Sequence, residues 1–247
     1  MKINQMQAKH DIIGQAGIDF LQNPDSKAII KVWSDTIETD ELPVSYLFRN
    51  FEDMPLLEQQ ALSLCHGKIL DVGAGMGSHT LYLQNNKMDV TALELSPMAC
   101  EVMKRRGIQN IINDDFFTIS AETKYDTILF LMNGIGIAQN IDRLDSFFNQ
   151  LRHLLAPGGQ VLIDSSDISY LFLEEDGSMY IDLNSNYYGE IKYKMSYLQY
   201  RGKEFPWIFI DESLIEEYAN KNGFRFHKLM DGTHYDYMGK LEINNVQ

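Results

Sequence analysis

The sequence predicts an α/β protein built on a doubly wound, mostly parallel sheet. Three observations point that way. From residue 68 onward, short apolar runs (KILDVG, MDVTALEL, IQNIIN, YDTILFLM, QVLIDSSD) read as five strands. Their near-continuous apolar character is that of strands covered on both faces. Between most of them lie stretches with helical periodicity and end signals, and such alternation makes successive strands parallel with right-handed crossovers. Finally, the first strand runs into Asp71-Val72-Gly73-Ala74-Gly75-Met76-Gly77. A glycine-rich turn there lets the backbone approach a ligand at the carboxyl end of a strand.

Each element has its own signals. Residues 1–66 read as a helical N-terminal cap, or lid, broken at Pro24 and Pro43. Its last helix, within 54–65, spaces Leu57, Ala61 and Leu64 helically, and His66-Gly67 stops it. A helix opens directly after the glycines at SHTLYLQNN. Ser96 is the N-cap of the next, with Pro97 in its first position and Gly107 at its stop. NIDRLDSFFNQLRHLL gathers Leu144, Phe147, Phe148, Leu151, Leu154 and Leu155 on one face. After the fifth strand comes an insertion, about 165–210, rich in Ser, Asp, Asn and Tyr. It ends in a β-hairpin, EIKYKMSY to FPWIFI, turning at Arg201-Gly202-Lys203. Asp211 caps a last helix, and a final hairpin turns at Asp231-Gly232. Residues 67–247 thus form the ligand-binding domain.

Composition narrows the function. The 247 residues carry a formal charge of -14 without any basic block. That argues against nucleic acid as the main partner, because phosphate neutralisation supplies most of such affinity. The polar start and the lack of a long apolar run predict a cytoplasmic protein with neither signal peptide nor membrane span. Cys65 and Cys100 lie in apolar helical segments and read as buried thiols. His10, His66, His227 and His234 show no ligand spacing, so no metal site is expected.

The glycine loop itself selects among ligands. A nucleoside-triphosphate loop ends in Gly-Lys-Ser/Thr, and Met76-Gly77-Ser78-His79 lacks the lysine. A dinucleotide loop spaces its glycines G-x-G-x-x-G, whereas here they run G-x-G-x-G. Asp71 would also face the phosphates in either case. S-Adenosylmethionine has an ammonium, a sulfonium and a ribose diol but no phosphate. Asp71 can accept from the ammonium, Glu94 at the end of the second strand can grip the ribose hydroxyls, and Asp115 at the end of the third can meet the adenine amine. Phe116 follows Asp115, placed to stack on the ring.

With these four elements in order, the chain resembles the class I S-adenosylmethionine-dependent methyltransferases, among their small bacterial-type members. The resemblance covers roughly 54–240 and rests on LDVGAGMG, ALELS, NDDFF, YDTILFLMNGIG, LRHLLAPGGQVLID and IDESLIEEYANKNGFRFHKLM. It implies a Rossmann-like sheet of seven strands with one reversed edge strand, and transfer of a methyl group that leaves S-adenosylhomocysteine. Carried over position by position, it marks Asp71, Gly73, Ala74, Gly75, Gly77, Glu94, Leu95, Asp115 and Phe116 as cofactor contacts, with Met132 and Asn133 near the sulfonium.

The acceptor is expected to be a small molecule. LMNGIG keeps Asn133 but lacks the Pro-Pro-aromatic sequence of enzymes that methylate nucleobase or glutamine amines. Asn133 is read either as orienting the acceptor or as supporting the turn. Tyr46, Arg49, Asp167, Tyr170, Tyr188 and Trp207 are the candidate acceptor residues, and tyrosine walls would suit a methylated amine. A protein or RNA methyltransferase ranks behind this. From other classes stand an NAD-dependent oxidoreductase and a non-catalytic cofactor-binding module. No catalytic base is identified.

Overall fold

The computed structural model describes residues 10–24, 27–120, 122–173 and 186–244. The polar start read for a signal peptide and the middle of the insertion lie outside them.

Along the chain run α1 (Ile12–Gln22), β1 (Ile29–Ser34), β2 (Asp40–Pro43), α2 (Leu56–Ser63), β3 (Lys68–Val72), α3 (Ser78–Asn85), β4 (Asp89–Leu93), α4 (Pro97–Arg105) and β5 (Ile111–Ile112). Then come β6 (Tyr125–Phe130), α5 (Leu144–Leu154), β7 (Leu155–Ser166), β8 (Glu190–Tyr197), β9 (Tyr200–Arg201), β10 (Phe205–Ile208), α6 (Glu212–Lys221), β11 (Phe224–Asp231) and β12 (Asp236–Ile243). The caps read from sequence are in place: Ser96 accepts from Ala99 N–H at the start of α4, and Asp211 from Leu214 N–H at the start of α6.

One sheet has seven strands in the order β11-β12-β7-β6-β3-β4-β5. β3 through β7 pair in parallel, as the alternation predicts. The chain moves outward from β3 to β5 and then returns to β6 on the other side of β3. The strand order therefore reverses between β3 and β6, the place where such sheets open a crevice. The expected reversed edge strand is corrected here. β12 is the reversed strand, and it lies one position in, antiparallel to both β7 and β11. A hairpin joins β11 to β12, so the second arm of that hairpin fills the gap beside β7.

α5 buries Phe147, Phe148, Leu151 and Leu154 completely. Its rings continue a contact chain from Phe116 through Phe130, Phe147 and Phe148 to Phe224, with centroids 5.1–5.6 Å apart. Tilted and edge-on ring pairs of this kind fix geometry as well as bury area. On the other face, α2 packs Leu57, Ala61 and Leu62 against Ile69, Leu129 and Leu162.

A second, wholly antiparallel sheet runs β10-β8-β1-β2, with β9 beside β8. It corrects the helical reading of residues 1–66. IIKVWS is a β-branched and aromatic strand with β2 on one side and the distant EIKYKMSY on the other, Lys31 lying opposite both Glu41 and Ser196. Local periodicity does not reveal a pairing at that separation. The hairpin expected at 190–210 exists, with Phe205 opposite Tyr193, but as part of this shared sheet.

Candidate functional site

A cavity of about 710 Å³ opens at the carboxyl ends of β3, β4 and β6, and the second sheet walls its other side. The volume is that of a small-molecule site. Its floor is the glycine loop, where Gly73, Gly75 and Gly77 all have left-handed φ, 70°, 56° and 79°. They do different work. A Cβ on Gly73 would meet nothing within 4 Å, and one on Gly75 only Gly73 O at 3.9 Å, so both leave backbone bare to the cavity. A Cβ on Gly77 would collide with Ile108 and Met103, so that glycine serves packing.

Glu94 ties the loop together. Its Oε2 accepts from Gly75 N–H and its Oε1 from Ser96 N–H, both at 2.8 Å. Burial raises its pKa, and these two N–H donors work against the shift. Asp71 is 2% exposed and accepts from the Thr80 hydroxyl at 2.6 Å. Burial raises its pKa too, opposed by His79 and Thr80. Asp71, Gly73, Ala74, Gly75, Glu94, Leu95, Asp115, Phe116 and Met132 all line the cavity, while Gly77 and Asn133 lie behind it. Phe116 belongs mainly to the aromatic core at 4% exposure. The half-buried Phe117 beside it also faces the cavity.

A buried charge cluster that sequence reasoning missed connects the lid to this floor. Glu58 Oε2 receives Arg49 Nη2 and, at 2.5 Å, His79 Nε2. Burial pushes the Glu58 carboxyl up, but His79 and Arg49 outweigh it and hold the pKa below the usual value. Arg49 and His79 line the cavity, and Arg49 Nε is buried without a hydrogen-bond partner. The Arg49 guanidinium sits 4.2 Å above the Tyr46 ring.

Asp164, near the end of β7, is the second omission. It accepts from Met132 N–H at 3.0 Å and Asn133 N–H at 2.6 Å. Both residues have left-handed φ, 61° and 56°, so Asp164 secures a strained turn at the end of β6. Burial and the charge of Glu58 push its pKa up to about 7. A lone acid in the apolar run QVLID was the available signal.

Of the candidate acceptor residues, Arg49 and Trp207 reach the cavity wall. Trp207 packs onto Gly136, where a Cβ would fall inside the indole ring. Asn133 supports the turn: its C=O accepts from Gly136 N–H at 3.0 Å, and its buried Oδ1 has no partner. Tyr188, Asp167 and Tyr170 lie elsewhere. The Tyr188 hydroxyl is 3.0 Å from both Asp167 Oδ1 and Asp211 Oδ2, and Tyr170 stacks on Tyr235 at 4.6 Å. The Tyr188 hydroxyl is thus taken up in joining Asp167 to Asp211 at the start of α6.

A structure of an S-adenosylmethionine-dependent methyltransferase from Bacteroides fragilis, in complex with S-adenosyl-L-homocysteine, is 41% identical to this chain. It covers 96% of each chain with a TM-score of 0.90. The chain belongs to the S-adenosylmethionine-dependent methyltransferases. The methyltransferase-domain family profile matches residues 69–159, from β3 to the start of the β7 core, which is the part that carries the glycine loop. The CcbJ methyltransferase of Streptomyces caelestis is 13% identical over 77% of this chain and 90% of its own, with a TM-score of 0.61, and shares the fold. A 23S rRNA (uracil(747)-C(5))-methyltransferase of Pyrococcus horikoshii is 32% identical over 92 residues. This methyltransferase chain spans 22% of that relative's length.

Proposed function

We propose that the protein transfers a methyl group from S-adenosylmethionine to a small-molecule acceptor, in a site held by the residues that line the cavity floor. The observation that carries this is a set of carboxylates, Asp71, Glu94 and Asp115, gathered around a loop whose glycines leave backbone bare. Asp71 is buried, Glu94 half-buried and Asp115 exposed; among the described residues none of the three is ion-paired, and acids so placed suit a ligand bearing positive charge. When bound, the cofactor supplies an electrophilic methyl group on a sulfonium.

The chain's part is positioning and exclusion of water. Asp71 and the loop amides take the amino-acid end, where the free Arg49 Nε offers a donor to its carboxylate. Glu94 takes the ribose hydroxyls, and Asp115 with Leu95 and the ring of Phe117 or Phe116 takes the adenine. Met132 and the turn secured by Asp164 set the floor beneath the reacting centre. Residues 1–66 and the insertion together act as the lid.

The rRNA relative and the -14 charge pull in opposite directions on RNA, and the charge weighs more because a polyanion needs a basic surface. Among the described residues no helix is long and apolar enough to cross a membrane. Cys65 and Cys100 are free and buried, which fits the reducing cytoplasm.

Calorimetry with S-adenosylmethionine and S-adenosylhomocysteine tests the cofactor half, and wild-type protein that binds neither overturns the reading. Transfer of labelled methyl from the cofactor into a metabolite extract, with total RNA as the parallel arm, tests the acceptor half.

A further inference from the structure

Away from the glycine loop and its acids, the cavity wall is apolar and aromatic: Ile137, Met195, Phe205 and Trp207. The charged groups there are mostly engaged. Asp11 accepts from Gly14 N–H at Oδ1 and from the Ser96 hydroxyl at Oδ2, and Arg49 is paired with Glu58. Among the described residues, two polar side chains of this wall have no protein partner. Lys203 is exposed at the mouth, and Gln139 is half-buried.

Gln139 is also held at a cost. Its φ and ψ are 74° and -51°, and Asn140 N–H donates to Ala138 C=O at 2.9 Å across it. That is a γ-turn of the rare, strained hand. Glycine would adopt it freely, so a side chain kept there against strain has a use elsewhere. The strain falls in the same segment after β6 that carries the left-handed Met132 and Asn133.

We infer that Gln139 orients the methyl acceptor, and that the acceptor is a small, largely apolar molecule bearing one uncharged hydrogen-bonding group. Resting on the function proposed above, this assigns the amide as the polar contact in an otherwise apolar subsite. An ammonium finds no free carboxylate on that wall, and a polyanion finds only one solvated lysine.

The test uses Trp207 as reporter in a Trp33→Phe background, since the chain has two tryptophans. With S-adenosylhomocysteine saturating, the protein is titrated with 4-ethylphenol, ethylbenzene, phenethylamine and phenyl phosphate. The hydroxylated probe is expected to bind at least about tenfold more tightly than the other three, a neutral hydrogen bond in an apolar pocket being worth that order. Gln139→Leu should erase its advantage over ethylbenzene. Gln139→Gly should raise the melting temperature and still weaken 4-ethylphenol by about tenfold, a combination that a merely structural residue does not give. S-adenosylhomocysteine affinity should stay within about twofold throughout. Equal or tighter binding of phenethylamine or phenyl phosphate, no binding of 4-ethylphenol, or Gln139 variants that bind it as wild type does would each overturn the inference. Failure to bind S-adenosylhomocysteine at all would instead overturn the proposed function beneath it.

Discussion

The two halves of the cavity are built by opposite means. The floor comes from one continuous stretch, Asp71 to Phe117, at the ends of three neighbouring parallel strands. It is rich in carboxylates and bare backbone. The opposite wall comes from segments far apart in sequence, around Ile12, Leu42, Gln139 and Met195 to Trp207, and it is mostly apolar. A ligand common to a family needs fixed hydrogen-bond geometry, which a strand end and its loop deliver locally. A ligand peculiar to one member needs only a differently shaped wall, which insertions can supply without disturbing the floor.

Substitutions can break that division or sharpen it. The largest effect is expected at Glu58, which joins Arg49 to His79 beside the glycine loop. Glu58→Gln should cost about 3–5 kcal/mol in urea unfolding, because a buried cation loses its partner. A loss under about 1 kcal/mol would mean that Arg49 and His79 are not joined there. Next is Glu94→Ala, which removes a charged acceptor from the floor and should weaken S-adenosylhomocysteine by about 10- to 100-fold by calorimetry. A change under about threefold would show that the floor does not depend on it. Gly136→Ala should push the Trp207 indole off the end of β6, lowering stability by about 1–3 kcal/mol and shifting tryptophan emission. Cofactor affinity should stay within about threefold, and a larger loss would erase the division.

The smallest effect is a pH slope. Burial and the charge of Glu58 raise the Asp164 carboxyl to about 7, against about 3.9 in an unfolded chain, so the native state holds its proton more tightly. Its stabilising contribution is therefore full below about pH 4 and is lost as pH rises through about 7. Asp71 and Glu94, both raised, act in the same direction, and Glu58 opposes them. Asp164→Asn should flatten, without abolishing, the fall in urea midpoint between pH 5 and pH 8. An unchanged slope would place the titration elsewhere.

The floor was legible because its signals are local. Asp71, Gly73, Gly75 and Glu94 sit at fixed offsets from strand ends, and the strands announce themselves by apolar runs. Even there Gly77 was read as a ligand contact and Asn133 as either an acceptor contact or a turn support; Gly77 packs on Ile108 and Met103 and Asn133 closes a turn, a distinction that only neighbours in space can make. The wall was not legible. Ile29–Ser34 was hidden because one partner, Asp40–Pro43, is short and the other begins only at Glu190, and Gln139 carried no compositional mark at all. Tyrosines drew attention that their hydrogen bonds to Asp167 and Asp211 had already used up.

The shared sheet has a consequence in time. β1 and β2 alone form a two-stranded hairpin, which is marginal in water. Their next partner, β8, leaves the ribosome only after the strands β3 to β7 have been made. At about 5–20 residues per second, that delay is roughly seven to thirty seconds. The parallel sheet can gather during this interval, but the wall that meets the acceptor cannot. In the order of synthesis, the glycine loop and its acids are in place before the sheet that closes the cavity over them.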